Sequence, residues 1–129
     1  MSHLTVVKTK MMALKWIKKA LKDLGFTVQE GKLEVVDYYH KAAKVELKAT
    51  GNNCPHPIGF AKKGKAYEIV ADWYEMPFSQ TNFTDRLTQR YAYHAARETL
   101  QEHGFSLVLE EKQGQAIHLR VAGPGGYCG

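Results

Sequence analysis

Leu21-Lys22-Asp23-Leu24-Gly25-Phe26-Thr27-Val28 and Leu100-Gln101-Glu102-His103-Gly104-Phe105-Ser106-Leu107 decide the organisation of the chain. In each, a helical pattern runs into a strand-like one, and the leading Leu, the Gly and the Phe are identical at an offset of 79 residues (from 21 to 100). Glycine adopts the left-handed conformation that ends a helix at little cost. Read as a duplication, the pair implies two strand–helix–strand units around one shared sheet. Read as coincidence, it is what any helix stop before a core strand looks like. Both readings give an α+β fold with two helices packed on one face of a mostly antiparallel sheet.

Around the first stop, Leu14, Ile17, Leu21 and Leu24 recur at spacings of three and four. This predicts a helix over 10–24, with Lys15, Lys18, Lys19 and Lys22 on another face. His3 to Thr9 ahead of it alternates and is β-branched, so it reads as a strand. Further strands are expected over 26–29, 33–39, 44–49, 58–61 and 66–73, with Lys62-Lys63-Gly64-Lys65 as a hairpin turn. In the last of these, Tyr67, Ile69 and Ala71 share one face, and Glu68, Val70 and Asp72 the other. A second helix should start near Thr81 or Asn82, either of which can cap it, and run to about His103. A hairpin of 105–110 and 116–121 follows. Residues 1–122 then form one domain, and Gly-rich 123–129 reads as a flexible tail.

The size fits that picture, since 129 residues with 44% hydrophobic content make one ordinary domain. The longest purely hydrophobic run, Met11 to Leu14, is far short of a membrane span. Composition excludes collagen-like, low-complexity and disulfide-scaffold classes. Eighteen Lys and Arg against thirteen Asp and Glu give a net charge of +5. That keeps nucleic acid or an acidic protein surface open as partners, beside the simpler reading of a solvated basic surface. Met1 to Lys8 lacks a signal-peptide pattern, so a cytoplasmic or organelle-stroma address is expected. Cys54 and Cys128 are expected as free thiols in a reducing compartment, a disulfide between them being the other option.

Phosphate loops, dinucleotide fingerprints, zincin and nucleophile-elbow motifs do not occur, and no motif implies a cofactor. Cys54-Pro55-His56 is a weak metal candidate whose further ligands would come from His3, His40, His118 or Cys128; ordinary loop packing is the competing reading. The second helix carries more. Ala92, Tyr93, Ala96 and Leu100 form one apolar arc, while Phe83, Leu87, Tyr91 and His94 lie nearly opposite. One of the two needs cover, either from the chain's own 73–81 segment, with Trp73, Tyr74, Met76, Pro77 and Phe78, or from a partner or second copy. Arg86, Arg90 and Arg97 share a third face that can track phosphates. His94 and Glu98 sit one turn apart. With Asp72 and Tyr93 nearby, His94 would have the makings of a general base, and His94, Asp72 and Tyr93 are the weak catalytic candidates.

Met1-Ser2-His3, Pro57-Ile58-Gly59-Phe60, Tyr67-Glu68-Ile69-Val70-Ala71-Asp72-Trp73, Leu87-Thr88-Gln89-Arg90-Tyr91-Ala92-Tyr93-His94 and Gly104-Phe105 together carry a resemblance. Over about residues 1–121 the chain resembles the family called hypothetical chloroplast open reading frame thirty-five, found in cyanobacteria, algal plastids and other bacteria. The resemblance implies no reaction, a plastid stroma address where the gene is organellar, and an accessory role beside an AAA-type ATPase system. It singles out His3, Asp72, Trp73, Gln89, Arg90, Tyr91, Tyr93 and His94; the Cys54 loop and the tail are not part of it. The function expected is a small non-catalytic protein that binds a protein partner through Trp73, Gln89, Arg90, Tyr91, Tyr93 and His94. An enzyme with a His94, Asp72 and Tyr93 pocket and a basic nucleic-acid-binding module are the alternatives.

Overall fold

A computed structural model of the chain describes residues 3–37, 39–102, 106–113 and 116–122. Strands β1 (Thr5–Lys8), β2 (Thr27–Val36), β3 (Ala42–Thr50), β4 (Ile58–Lys63) and β5 (Ala66–Ala71) form one antiparallel sheet. Their order across it is β1-β5-β4-β3-β2. Helix α1 (Leu14–Asp23) connects the two edge strands, and helix α2 (Gln80–Glu102) follows β5. Strands β6 (Ser106–Gln113) and β7 (Ala116–Ala122) pair with each other in a separate two-stranded sheet. The α+β arrangement therefore stands, but the shared sheet of the duplication reading does not, because β6 does not join the five strands. The expected tail, 123–129, and the second helix stop, 103–105, lie outside the described residues.

Strand alternation decides which side the helices cover. Ile58 and Phe60 of β4, and Tyr67, Ile69 and Ala71 of β5, are buried in one cluster with Ile17, Ala20 and Leu21 of α1 and Phe83 and Leu87 of α2. Each fully buried Leu, Ile or Phe contributes roughly 1.5–3 kcal/mol. Phe26, Trp73, Phe78 and Phe83 meet ring to ring at one end of this cluster, so the 73–81 segment does cover part of α2.

The sheet's other side has its own cover. Gly59, Ala61 and Val70 alternate with the helix-facing residues and so point away from the helices. Against Ala61 and Val70 pack Val35 and Val45, with Leu4, Leu33 and Ala43 beside them. Val35 and Val45 belong to the outer half of the β2–β3 hairpin, which therefore bends across the back of the sheet. A register shift between Glu30 and Leu33 marks the bend, with Gly31 at φ 141° inside it. One extra residue in a strand bends it in this way. What the sequence suggests are two strands, 26–29 and 33–39, is one bent strand. At the hairpin's tip Asp37 Oδ1 accepts the N–H groups of Tyr39 and Lys41, and the Tyr39 ring stacks on His3, just ahead of β1, at 5.3 Å.

Two helix boundaries shift for local reasons. Residues 9–11 are committed to β5: Thr9 Oγ1 donates to the Tyr67 carbonyl, and the Met11 carbonyl accepts the Tyr67 N–H. Helix α1 thus starts at Leu14 rather than Lys10. It ends as expected, with Gly25 at φ 87° and the Phe26 N–H on the Leu21 carbonyl at 2.9 Å. Helix α2 starts at Gln80 because Ser79, not Thr81 or Asn82, caps it, its hydroxyl accepting the Asn82 N–H at 3.0 Å.

Gly59 is where the two layers come closest, since a Cβ built there would lie 2.6 Å from Val45 Cγ1 and 3.1 Å from Val35 Cγ1. Gly59→Ala is expected to lower stability by roughly 1–3 kcal/mol, as overpacked cores do. Urea denaturation checks this; an unchanged midpoint would mean the hairpin does not press on the sheet.

Candidate functional site

Most of the residues singled out from the sequence on α2 meet α1. The Tyr91 hydroxyl accepts the backbone N–H groups of Met12 and Ala13, both at 3.0 Å, and its ring stands edge-on to Trp16. At the other end of α1, Asp23 receives two α2 side chains on one carboxylate oxygen. Arg90 reaches it with Nε and Nη2, both at 2.9 Å, and His94 Nε2 lies 2.5 Å away. Burial pushes the Asp23 carboxyl up, but the hydrogen bonds from His94 and Arg90 and their charges outweigh it and hold the group below its ordinary value. Farther along, Glu98 binds Lys19 Nζ at 2.5 Å and the Trp16 indole N–H. The Lys19 hydrogen bond keeps the Glu98 carboxyl low.

Tyr93 is buried on a different side of α2. The Arg90 guanidinium sits 4.4 Å over its ring, the His94 ring lies nearly parallel at 5.1 Å, and its hydroxyl accepts Arg97 Nη1 at 3.4 Å. Such cation–π contacts contribute about 0.5–2 kcal/mol. Part of the α1 lysine stripe is likewise engaged: Lys18 pairs with Glu30, Lys19 with Glu98, and Lys15 lies over the Trp16 ring.

Of the catalytic trio suggested by the sequence, Tyr93 and His94 stack on each other, while Asp72 is paired elsewhere. His94 takes its carboxylate from Asp23. Asp72, only 3% exposed at the end of β5, accepts the Tyr74 N–H on Oδ1 at 3.0 Å, and its Oδ2 lies 3.9 Å from His56 Nε2. Neither Asp23 nor the His56–Asp72 pair was legible beforehand, because 71 residues separate Asp23 from His94 and no periodicity links them. Cys54 is a free thiol packed against the main core, and burial raises its pKa. Among the described residues no three His, Cys, Asp or Glu side chains gather as a metal site, so Cys54 and His56 stand without further ligands there. Cys128 and the His118 side chain lie outside the described residues. Trp73 belongs to the aromatic cluster, and the side-chain nitrogens of Trp73 and Gln89 are buried without a hydrogen-bond partner among the described residues.

Beside the seam lies an open groove of about 530 Å³. One wall is the 8–11 stretch, where β1 runs on along β5; the other is a stripe of α2 formed by Thr84, Thr88, Tyr91 and Ala92. These α2 positions follow at four, three and one residues, which puts them on one side of a helix. Met12, 61% exposed, directly follows the 8–11 wall, whereas Val6, paired with Val70, is on the sheet face away from α2.

The seam has a testable pH signature. A carboxylate with a lowered folded pKa stabilises the fold above its unfolded value, and that contribution is lost as the pH falls through the folded value. Asp23→Asn is therefore expected to reduce stability at pH 6, with the difference from the parent shrinking below about pH 4. Urea titrations at pH 6 and pH 3 measure it, and equal differences at both would contradict the pairing.

The described helices include none long and apolar enough to cross a membrane. Residues 20–121 match the model of a family described as "Protein of unknown function (DUF1257)". The "Uncharacterized protein ycf35" of Pyropia yezoensis is 33% identical over 115 residues, covering 88% of this chain and 89% of that protein. Its counterpart in Cyanophora paradoxa is 32% identical over 113 residues, covering 86% and 88%, and that of Guillardia theta 32% over 112, covering 85% and 87%. No solved structure matches the chain. With four-fifths of its length under one family model and relatives aligned over 85–88% of it, the chain belongs to the DUF1257 family, as its resemblance to the open reading frame thirty-five proteins led one to expect.

Proposed function

We propose that this protein is a small accessory factor that works by binding a protein partner, and that the groove between the 8–11 stretch and α2 is where the contact is made. The observation that supports this reading is the open α2 stripe itself. Thr88 and Ala92 are exposed along a groove of about 530 Å³, and Met12, also exposed, directly follows its 8–11 wall. Exposed apolar surface grouped beside a concavity is what partner sites offer.

The aromatic and cationic side chains expected to make the contact have a different part in this reading. Tyr91, Arg90 and His94 hold α2 on α1, Tyr93 is packed under Arg90, and Trp73 belongs to the core, so they fix the groove's shape. Gln89 lies on the same helix beyond the stripe. The partner class that the resemblance suggests is an AAA-type ATPase system, and the address in keeping with it is the cytoplasm or a plastid stroma.

A photo-crosslinking amino acid placed at Ala92 in cells is expected to give one discrete heavier adduct, whereas the same group at Lys63, on the exposed β4–β5 turn, gives none. No adduct at Ala92, or equal adducts at both positions, would contradict the reading.

A further inference from the structure

We propose that the occupant of this groove is an extended acidic peptide segment of the partner, which adds a strand to the free edge of β1 and lowers alternate apolar side chains between the 8–11 stretch and α2. The inference rests on the reading above and names the chemistry of the contact.

Three observations lead to it. The five-stranded sheet ends at β1, so among the described residues its outer edge has no neighbouring strand. An unpaired edge is a ready template for an incoming strand, whose main-chain hydrogen bonds supply affinity and whose alternate side chains supply specificity. The groove runs beside the continuation of that edge. Buried Met11 forms part of it, and so does Thr84, whose hydroxyl is buried without a hydrogen-bond partner among the described residues. An apolar side chain fits against the first, and a backbone group of the visitor can satisfy the second. Finally, the lining includes Lys8 and Lys10, both exposed, and no carboxylate.

The lysines choose between occupants. Two copies of β1 paired edge to edge would bring four lysines of a +5 chain together, a like-charge meeting that disfavours self-association. A segment alternating Asp or Glu with Val, Ile or Leu places its carboxylates beside Lys8 and Lys10 and its apolar side chains in the groove. Edge lysines thus act against a second copy and for an acidic visitor.

The test is to pan a random dodecapeptide phage library on the full chain. Enriched sequences should alternate apolar and acidic residues. A synthetic peptide of the winning sequence should shift backbone amide resonances over 5–11 and 84–92. Lys8→Glu with Lys10→Glu should weaken it at least tenfold, and so should Ala92→Arg, each variant melting within a few degrees of the parent. Basic winners, winners with helical three- and four-residue spacing, shifts confined elsewhere, no enrichment at all, or dimerisation that protects β1 would each overturn the proposal. Helical winners that still map to the groove would leave the partner-binding reading standing while removing this occupant, and an Ala92 crosslink without peptide binding would do the same.

Discussion

Helix α1 starts with nothing of its own to hold it. Ala13 has no side chain that can cap, and the first turn carries no acidic residue. Its start is fixed from outside, by the Tyr91 hydroxyl on the N–H groups of Met12 and Ala13. That one contact ties three things together: the end of the 8–11 stretch that runs alongside β5, the first turn of α1, and the middle of α2. Asp23 and Glu98 then set the rotation of one helix against the other. Each of these ion pairs is partly exposed and individually modest. Together they are geometric restraints, because Arg90 and His94 converge on a single oxygen from successive turns of α2.

Around the five-stranded sheet the consequence is three layers, helices, sheet and bent hairpin, in which one edge stays open among the described residues. The hairpin crosses the back of the sheet and ends at His3 beside β1, and the helices close the front. On the side between them, β1 and the α2 stripe face outward. The aromatic residues of α2 are absorbed by the fold, and what the open side presents is a groove of mixed polarity with lysines on its rim, the surface proposed above for a partner.

Much of the fold was legible because it follows from periodicity. The α1 stripe, Gly25 as its stop, the turn at Gly64, and the alternation of Tyr67, Ile69 and Ala71 are local signals, and the chain obeys them. What was not legible depends on contacts across sequence. The bend at Gly31 exists because Val35 and Val45 have a second apolar surface to cover, which one strand's pattern cannot reveal. Residues 10–13 look helical until Tyr67 claims the Met11 carbonyl. The candidate site was read in part. The residues of α2 were singled out, but not which of them face inward, because Phe83, Leu87 and Tyr91 match a core face as well as an interface. Asp23 and the Thr84 stripe, which give the seam and the groove their character, left no mark that sequence could show.

Hydrogen exchange at the Met12 and Ala13 amides tests the clasp that this account centres on. In the parent chain both should exchange slowly, and in Tyr91→Phe both should speed up by about tenfold or more, the cost of one lost hydrogen bond, while the Ile69 amide in the sheet is unmoved. Fast exchange of both amides in the parent, or rates that the substitution leaves unchanged, would show that α1 is held by something else.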